Sequence, residues 1–243
     1  MRNWLPVLMA LLMVGHIAGA QAPARSVAVG GVQIVVPDCQ GFQEVGDVPQ
    51  LTAILRNVAP RETIQVALYT PNDISELLKT DPAAPVTRYV YIFAAKRLAD
   101  EAQTAEKFQE FVKQAKARQQ AELQAQATAR GDANAPPKDL DPATGMKPGQ
   151  TRAIPQLAEG TNYLIVPMYL CSPIPGGPSQ PTLLVNAMSF VRVKDRMIFI
   201  HVISFYKSKA DLDWVMATSA QWVPALITAN AGATDAPTAK EGK

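Results

Sequence analysis

The sequence predicts an α+β protein built on a mainly antiparallel sheet of about seven strands flanked by helices. Short runs rich in β-branched and aromatic residues recur along the chain, and tight-turn sequences join two pairs of them, which is typical of antiparallel hairpins. Segments with apolar residues at helical spacing lie between and after these runs, and this mixed order favours an α+β arrangement.

Two hairpins are the clearest of the strand predictions. In the first, Gly30-Gly31 supplies the positive φ angles of a tight turn. In the second, Lys194-Asp195-Arg196 joins two long apolar runs, and Asp195 tolerates a left-handed conformation. Pro167 indicates an edge position or a bulge in its own strand. The predicted strands are 26–29, 32–36, 63–69, 87–96, 161–171, 183–193 and 197–206.

The longest predicted helix covers residues 104–130 and begins an insertion, 104–160, within the domain. Phe108 and Phe111 give its first half an apolar stripe, whereas its second half is rich in glutamine and alanine and has little to bury. We expect the second half to project into solvent and the proline-rich residues 131–160 to form a flexible loop. A dimerising coiled coil is the alternative, although sustained heptad hydrophobes are missing. The other predicted helices are 48–58, 72–78 and 209–230.

The N-terminus predicts a secretory signal peptide over residues 1–20. A positively charged start and an apolar run at 5–17, too short for a membrane-spanning helix, precede the small residues Ala18-Gly19-Ala20. Cleavage after Ala20 is favoured over cleavage after Ala22, because Pro23 would directly follow the second cut and fits an endopeptidase poorly. An uncleaved anchor helix is the alternative.

Residues 21–230 are then expected to form one domain, followed by a disordered tail at 231–243. Export would make the protein periplasmic or secreted. Charges interrupt each apolar stretch after residue 20, so no membrane span is predicted in the mature chain. The 23 basic and 21 acidic residues nearly balance, which argues against a nucleic-acid partner and leaves the oligomeric state open.

Cys39 and Cys171 are the only cysteines in the sequence, and each lies at the end of a strand-like run. In an oxidising compartment this placement predicts a disulfide between them. Two separate buried thiols are the alternative. Two cysteines without histidine partners are too few for a zinc site, so neither a metal site nor a cofactor site is predicted.

No residue belongs to a recognisable catalytic motif, and three side chains are candidates for a ligand groove. His201 lies mid-strand on the face that also carries Phe199 and Ile203, without a visible nucleophile or carboxylate partner. Trp214 and Trp222 lie within about 80° of each other on the last helix. A surface or satisfied histidine and a pair of core tryptophans are the alternatives.

Both ends of the chain carry a distributed pattern, which comprises the run from Gly31 to Pro37 followed by Gly41-Phe42, the hairpin around Val193-Lys194-Asp195-Arg196, and the closing helix with Asp211-Leu212-Asp213-Trp214 and Trp222. This pattern resembles a group of uncharacterised exported bacterial proteins. More distantly, it is similar to the PsbP/DcrB-like α+β proteins, in which an antiparallel sheet is flanked by helices. The resemblance implies a fold and a non-enzymatic role, with no catalytic residue to carry over.

We therefore expect a non-catalytic exported binding or accessory protein of the bacterial envelope, whose partner is an envelope protein or a small ligand. One alternative is a periplasmic hydrolase or other enzyme whose site is not visible in the sequence. Another is an assembly factor that works through the projecting helix. Converging polar groups in a pocket would favour the enzyme, and an apolar groove would favour ligand binding.

Overall fold

The structure, a computed structural model, describes residues 25–46, 48, 51, 55, 62–129, 146–172 and 182–232. The predicted signal peptide at 1–20, most of the predicted helix at 48–58 and nearly all of the predicted tail at 231–243 lie outside these residues. Within the described ranges, no helix has the length and apolar character needed to cross a membrane.

The fold is α+β, as predicted. The described strands are β1 (Ser26–Val29), β2 (Val32–Val35), β3 (Phe42–Glu44), β4 (Thr63–Pro71), β5 (Arg88–Ala95), β6 (Thr151–Ala153), β7 (Ala158–Gly160), β8 (Tyr163–Ser172), β9 (Thr182–Val193) and β10 (Arg196–Phe205). The described helices are α1 (Asn72–Thr80), α2 (Lys96–Ala99), α3 (Ala105–Ala129) and α4 (Lys209–Asn230). Eight of these strands form one antiparallel sheet in the order β3-β4-β5-β10-β9-β8-β6, with β7 also paired to β8, and β1 pairs separately with β2.

The hairpin of β9 and β10 occupies the centre of the large sheet. Lys194 and Asp195 form its two-residue turn, and both have positive φ angles, 47° and 54°. This is the type I′ geometry whose twist matches that of the paired strands. The sequence indicated a left-handed conformation for Asp195, and in the structure Lys194 adopts a left-handed conformation as well.

The N-terminal hairpin of β1 and β2 docks beside this central turn. Arg196 donates from Nη2 to the carbonyl oxygen of Gly30 at 3.1 Å, and Lys194 donates from Nζ to the carbonyl oxygen of Gln33 at 2.9 Å. Gly30 has a φ of 53°, and a side chain there would collide with the carbonyl group of Ala99. The glycine is therefore required both by the turn and by the close approach of the backbone.

The last residue of α4 fixes the other end of this hairpin. Asn230 accepts from the backbone N–H of Val35 at 2.8 Å and donates back to the carbonyl oxygen of Val35 at 2.7 Å. It also donates to the carbonyl oxygen of Leu226 at 2.9 Å, within its own helix. Because Asn230 is buried, these bonds satisfy its side chain while tying the end of α4 to β2.

One face of the large sheet is covered by α4 and the N-terminal hairpin, and we call it the α4 face. Trp222, Val215 and Ile34 are fully buried there among the apolar residues of the central strands. Ser208 and Asp211 begin α4 with a capping box, which satisfies backbone donors of the first turn. The predicted closing helix is therefore confirmed, with Pro224 inside it.

The opposite face is covered at its two ends by different elements. At one end, Phe108 and Val112 of α3 pack on the strands. At the other end, Ile74 of α1 packs together with Leu51 and Leu55, which are helical and lie within the predicted helix 48–58. The apolar stripe predicted for the first half of the long helix is thus in contact with the sheet.

The end of the predicted insertion differs from the expected loop. β6 and β7 lie within residues 131–160, and both pair with β8. Gln119 is buried and donates from Nε2 to the carbonyl oxygen of Ile154 at 2.8 Å, so contact of α3 with the domain extends to this residue. Strands of three residues are too short to show an alternating pattern in the sequence. β6 and β7 form because they pair with β8, not because of their own strand propensity.

Pro167 lies in β8, and its backbone faces the side of the strand away from β9. The sequence predicted an edge position or a bulge for this proline. β6 pairs with β8 on one side of it and β7 on the other, so Pro167 is opposite the break between the two short strands. The carbonyl oxygen of Pro167 accepts from the N–H of Ile154 at 3.2 Å. The missing N–H of proline therefore falls where no strand needs a donor.

Candidate functional site

The candidate site is a row of side chains across the middle of the face opposite α4. Met168 of β8 is paired with Asn186 of β9, and Met188 of β9 is paired with His201 of β10. Directly paired residues point to the same side of a sheet, and residues two apart along a strand share that side. These four residues therefore form one patch, which we call the seam.

The seam lies between two separate apolar clusters. One cluster joins α3 to the sheet through Phe108, and the other contains Leu51 and Ile203. Phe199 packs against both clusters, as expected for a residue next to the boundary between them. Its position beside His201 and Ile203 agrees with the strand alternation that the sequence predicted.

His201 and Asn186 form the polar floor of the seam. Their exposed fractions are 4% and 3%, and Asn186 Nδ2 lies 3.3 Å from His201 Nδ1. An amide nitrogen has only donor hydrogens, so His201 Nδ1 must be the acceptor in this contact. The proton of the neutral imidazole is therefore on Nε2.

Three buried polar atoms on this face have no hydrogen-bond partner within the described part of the chain. They are His201 Nε2, Asn186 Oδ1 and the hydroxyl oxygen of Tyr89, which is paired across the sheet with Ile203. Buried polar atoms are nearly always paired in proteins, and leaving one unpaired costs about 1–3 kcal/mol. Among the described residues, Ser189 Oγ, Arg196 Nε and Trp222 Nε1 are buried and unpartnered as well, so such atoms do not by themselves mark a site.

Burial also sets the protonation state of the floor. Desolvation lowers the pKa of His201 from 6.5 to about 4, so the imidazole is neutral near pH 7. Burial raises the pKa of the Tyr89 hydroxyl far above its usual range. The neutral imidazole and the Asn186 amide therefore give the seam a floor without net charge, and the neighbouring Tyr89 hydroxyl is uncharged as well.

The two methionines of the seam are apolar and partly exposed. Met168 and Met188 are half-buried, and neither belongs to the three apolar clusters formed by the described residues. Methionine has a flexible, polarisable side chain that adapts to ligands of irregular shape. The two half-buried methionines therefore give the seam an adaptable apolar surface beside His201 and Asn186.

A chain of aromatic rings runs past the seam towards α3. His201 lies 5.1 Å from the Phe93 ring, measured between centroids. Successive centroid distances are 5.0 Å from Phe93 to Phe199, 5.5 Å from Phe199 to Phe190 and 4.8 Å from Phe190 to Phe111. The last three of these rings are half-buried, so the aromatic surface continues the apolar wall beyond the methionines.

The arrangement is suited to binding rather than to proton transfer. A catalytic histidine needs a nucleophile and commonly a carboxylate within hydrogen-bond reach. Among the described residues, His201 is bonded to the Asn186 amide and to no carboxylate. Ser189 is paired with Ile200 and therefore lies on the α4 face, away from the imidazole.

Trp214 and Trp222 do not join His201. Trp222 is fully buried on the α4 face, 4.6 Å from the Tyr69 ring and 5.6 Å from the Phe42 ring. Trp214 is half-buried beneath the Arg88 guanidinium, at 4.9 Å from the ring centroid. The sheet separates this aromatic group from the seam, and Trp222 is positioned as a core residue.

Arg88 links Trp214 to the start of α4. Its guanidinium donates to the carboxylate of Asp211 at 2.9 Å. Although burial of the carboxyl raises its pKa, hydrogen bonds from the backbone of Lys207 and Ser208 and from Arg88 outweigh this, and the net shift of the Asp211 pKa is downward. Asp211 is thus a structural cap that also holds Arg88 over Trp214.

The predicted disulfide is wrong, because Cys39 and Cys171 are both free and buried. Cys39 lies just before β3, whereas Cys171 lies in β8, and four strands of the sheet separate those two. Strands are spaced about 4.8 Å apart, and five such spacings put β3 and β8 about 24 Å from each other. A disulfide needs Cα atoms within about 7 Å. The alternative of two separate buried thiols is the one that the structure supports.

Sequence reasoning missed Asn186, Tyr89, Met168 and Met188. Strand alternation showed which residues of β10 share a face with His201, but not which residues of β8 and β9 lie beside it. That information is in the register of the sheet. In the described ranges, no three histidine, cysteine or acidic side chains come together as they would to hold a metal ion.

We expect two free thiols per chain when the protein is unfolded without reductant and titrated with a colorimetric thiol reagent. In the native protein the reaction should be slow, because both thiols are buried and burial raises the pKa of Cys39 to about 11, which leaves little reactive thiolate. Unfolded protein in which neither thiol reacts would contradict the sheet order given above.

We expect acid to destabilise the protein through His201. The folded-state pKa of about 4 lies below the ordinary value of 6.5, so the unfolded chain binds a proton more readily between these values. Stability is therefore lost as the pH falls from 6.5 to 4, by about 3 kcal/mol for this group. Denaturant unfolding of wild type and His201→Phe at pH 7 and pH 4 measures this. Equal pH-dependent losses in both proteins would show that His201 is not buried neutral.

Comparison with known proteins gives little further information. No protein-family model matches the chain, and no curated protein matches it. Among solved structures, the crystal structure of the Ran-binding protein Mog1p from Saccharomyces cerevisiae is similar with a TM-score of 0.29 and 15% identity, over 86% of this chain and 89% of that chain. A TM-score of this size carries no argument, so the α+β assignment rests on the strands and helices themselves, and the likeness to the PsbP/DcrB-like proteins stays a prediction.

Proposed function

We propose that the protein is a non-catalytic binding protein that holds a small amphipathic molecule on the seam, and that it acts after export to the bacterial envelope. The observation that carries the binding role is the pair of half-buried methionines, Met168 and Met188, which lie beside His201 and Asn186 and are packed into none of the apolar clusters. The apolar body of the molecule would cover the methionines and the neighbouring half-buried rings, and its polar part would remain in contact with water.

The position of the seam in the fold supports this role. An apolar cluster packs on the sheet on either side of the seam, while Met168 and Met188 between them are packed into neither cluster. A binding site gains affinity when its walls are preformed, because less conformational entropy is lost on binding. His201 and Asn186 lie on neighbouring central strands, which fixes their spacing.

The export part of the proposal rests on the first twenty residues, with their positive start, apolar run and small residues before Gln21. The resemblance of the strand–Pro–Gly–Phe opening and the closing helix to PsbP/DcrB-like proteins agrees with an accessory role. The competing proposal, a periplasmic hydrolase, is not favoured by a specific observation, since His201 is bonded to an amide and is neutral.

Export is tested by expressing the full gene in a bacterium and recovering the periplasmic fraction. We expect the purified chain to begin at Gln21, which intact mass and N-terminal sequencing establish. The same protein carrying Ala20→Lys is the control, and it should remain unprocessed because small residues are needed before the cut. Wild-type protein that stays in the cytoplasm with Met1 in place would contradict the export proposal while leaving the binding proposal intact.

Binding is tested with Nile red, an uncharged dye whose fluorescence rises in apolar surroundings. We expect saturable binding to the full chain and a loss of at least about tenfold in affinity in Met188→Trp, because a large, stiff indole replaces the flexible thioether against which the dye packs. Leu77→Trp is the matched control, since Leu77 is 46% exposed on α1, away from the seam. It should bind the dye as the wild type does.

Two outcomes would contradict the binding proposal. One is the absence of saturable binding by the wild-type protein. The other is an equal affinity in wild type, Met188→Trp and Leu77→Trp, which would place the dye elsewhere on the surface. Far-ultraviolet circular dichroism of each variant confirms that the fold is retained before affinities are compared.

A further inference from the structure

Cys39 and Cys171 lie on opposite sides of the centre of the large sheet. Four strands, β4, β5, β10 and β9, lie between β3 and β8, which contains Cys171. Cys39 precedes Phe42, the first residue of β3, by three residues, and an extended segment of this length spans at most about 11 Å. Since β3 and β8 are about 24 Å apart, the Cα atoms of the two cysteines are separated by at least about 13 Å. This is roughly twice the distance that a disulfide allows.

Each cysteine is held in place by its own surroundings. Cys39 belongs to the apolar cluster on the α4 face, which also contains Tyr69. The Cys171 thiol donates to the carbonyl oxygen of Met146 at 3.9 Å, and the backbone N–H of Cys171 donates to the carbonyl oxygen of Gln150 at 3.0 Å. α4 packs on β9 and β10, which lie between the two cysteines. Neither thiol can therefore reach the other unless α4 and the central strands come apart.

We propose that a disulfide between Cys39 and Cys171 and the native fold exclude each other, so that the redox state of the two thiols before folding decides whether the chain folds. These are the only cysteines in the sequence, and the one intramolecular disulfide available to the unfolded chain is therefore the one that the sheet cannot contain. The oxidant is itself a disulfide, such as oxidised glutathione. One cysteine thiolate attacks a sulfur of the oxidant, and the second displaces the resulting mixed disulfide. Two electrons and two protons leave the chain as the oxidant becomes two thiols.

The folded protein is protected against the same reaction. Both thiols are buried, and burial together with the neighbouring Asp38 carboxylate raises the pKa of Cys39 to about 11. An unperturbed thiol has a pKa of about 8.5, so the unfolded chain carries a far larger fraction of reactive thiolate at neutral pH. Oxidation is therefore fast before folding and slow afterwards.

This conflict has a consequence for an exported chain, and that consequence rests on the export part of the proposed function. A secreted chain folds in an oxidising compartment, where the thiols of an unfolded protein are converted to disulfides. A chain that is oxidised before folding regains its fold only if a dithiol reductant opens the bridge and takes the disulfide onto its own sulfurs. The protein therefore requires either folding that is faster than oxidation or the action of a thiol–disulfide reductase.

The test compares reduced and oxidised samples of the purified wild-type protein. The protein is unfolded in guanidinium chloride and oxidised with glutathione disulfide, and the monomer with the Cys39–Cys171 bridge is isolated and identified by non-reducing peptide mass mapping. After removal of the denaturant, we expect this monomer to lack the near-ultraviolet circular dichroism and the cooperative unfolding transition of the reduced protein. Dithiothreitol should then restore both signals to at least about nine-tenths of those of the reduced sample.

The matched control is the double variant Cys39→Ala and Cys171→Ala, which has no thiol and passes through the same treatment. It should refold with or without dithiothreitol, which shows that the oxidant and the denaturant do no other damage. If the double variant does not fold, the recovery of the wild-type protein with dithiothreitol decides the question.

Three results would overturn the proposal. The first is a bridged monomer that unfolds cooperatively at the midpoint of the reduced protein. The second is a bridge that forms in the native protein without denaturant, or that does not form in the unfolded chain. The third is a bridged monomer that stays unfolded after dithiothreitol, which would give the loss of structure another cause.

The failure of this inference and the failure of the proposed function are distinguishable. The refolding experiment uses purified protein, so its result depends neither on export nor on Nile red binding. A chain that stays in the cytoplasm with Met1 in place would remove the requirement for a reductase, while the conflict between the bridge and the fold would still be decided by refolding.

Discussion

The type I′ turn between β9 and β10 is the constraint on which the rest of the structure depends. It fixes the register of the two central strands, and each of them carries a further strand on its outer side. The backbone of Asp195 in this turn also accepts from Gln103, while Lys194 and Arg196 hold the N-terminal hairpin. A register slip of one residue would turn His201 to the α4 face, so the seam exists only in this pairing.

The sequence was sufficient for features whose signals are local. Both hairpins, the long helix and the closing helix were predictable, because glycine and aspartate mark turns and apolar spacing marks helices. β6 and β7 were not predictable, since three-residue strands exist through pairing with β8 rather than through propensity. The disulfide prediction failed for a related reason. The ends of two strands look alike in sequence, whereas the sheet order that separates Cys39 from Cys171 is a property of the whole chain.

In the candidate site, too, local features were predictable from the sequence and contacts between strands were not. The face on which His201 lies was predictable from alternation along one strand, but its contact with Asn186 depends on the register between two. Trp214 and Trp222 looked equally suitable as ligand-binding residues. One of them is fully buried in the core, and the other lies under Arg88, because α4 packs on the opposite side of the sheet. Aromatic residues at helical spacing identify the apolar face of a helix. Whether that face lies in the core or lines a groove depends on what packs against it, which the sequence of the helix does not show.

The broken outer edge of β8 has a consequence for how the protein behaves in a crowded solution. A continuous edge strand exposes a row of donors and acceptors that a second chain can extend into a larger sheet, which is a route to aggregation. Here two strands of three residues, β6 and β7, cover that edge. Pro167 of β8 lies opposite the gap between them and has no N–H to donate there. Intermolecular strand addition is therefore interrupted after a few residues, and the long apolar strands β8, β9 and β10 are kept from templating their own assembly.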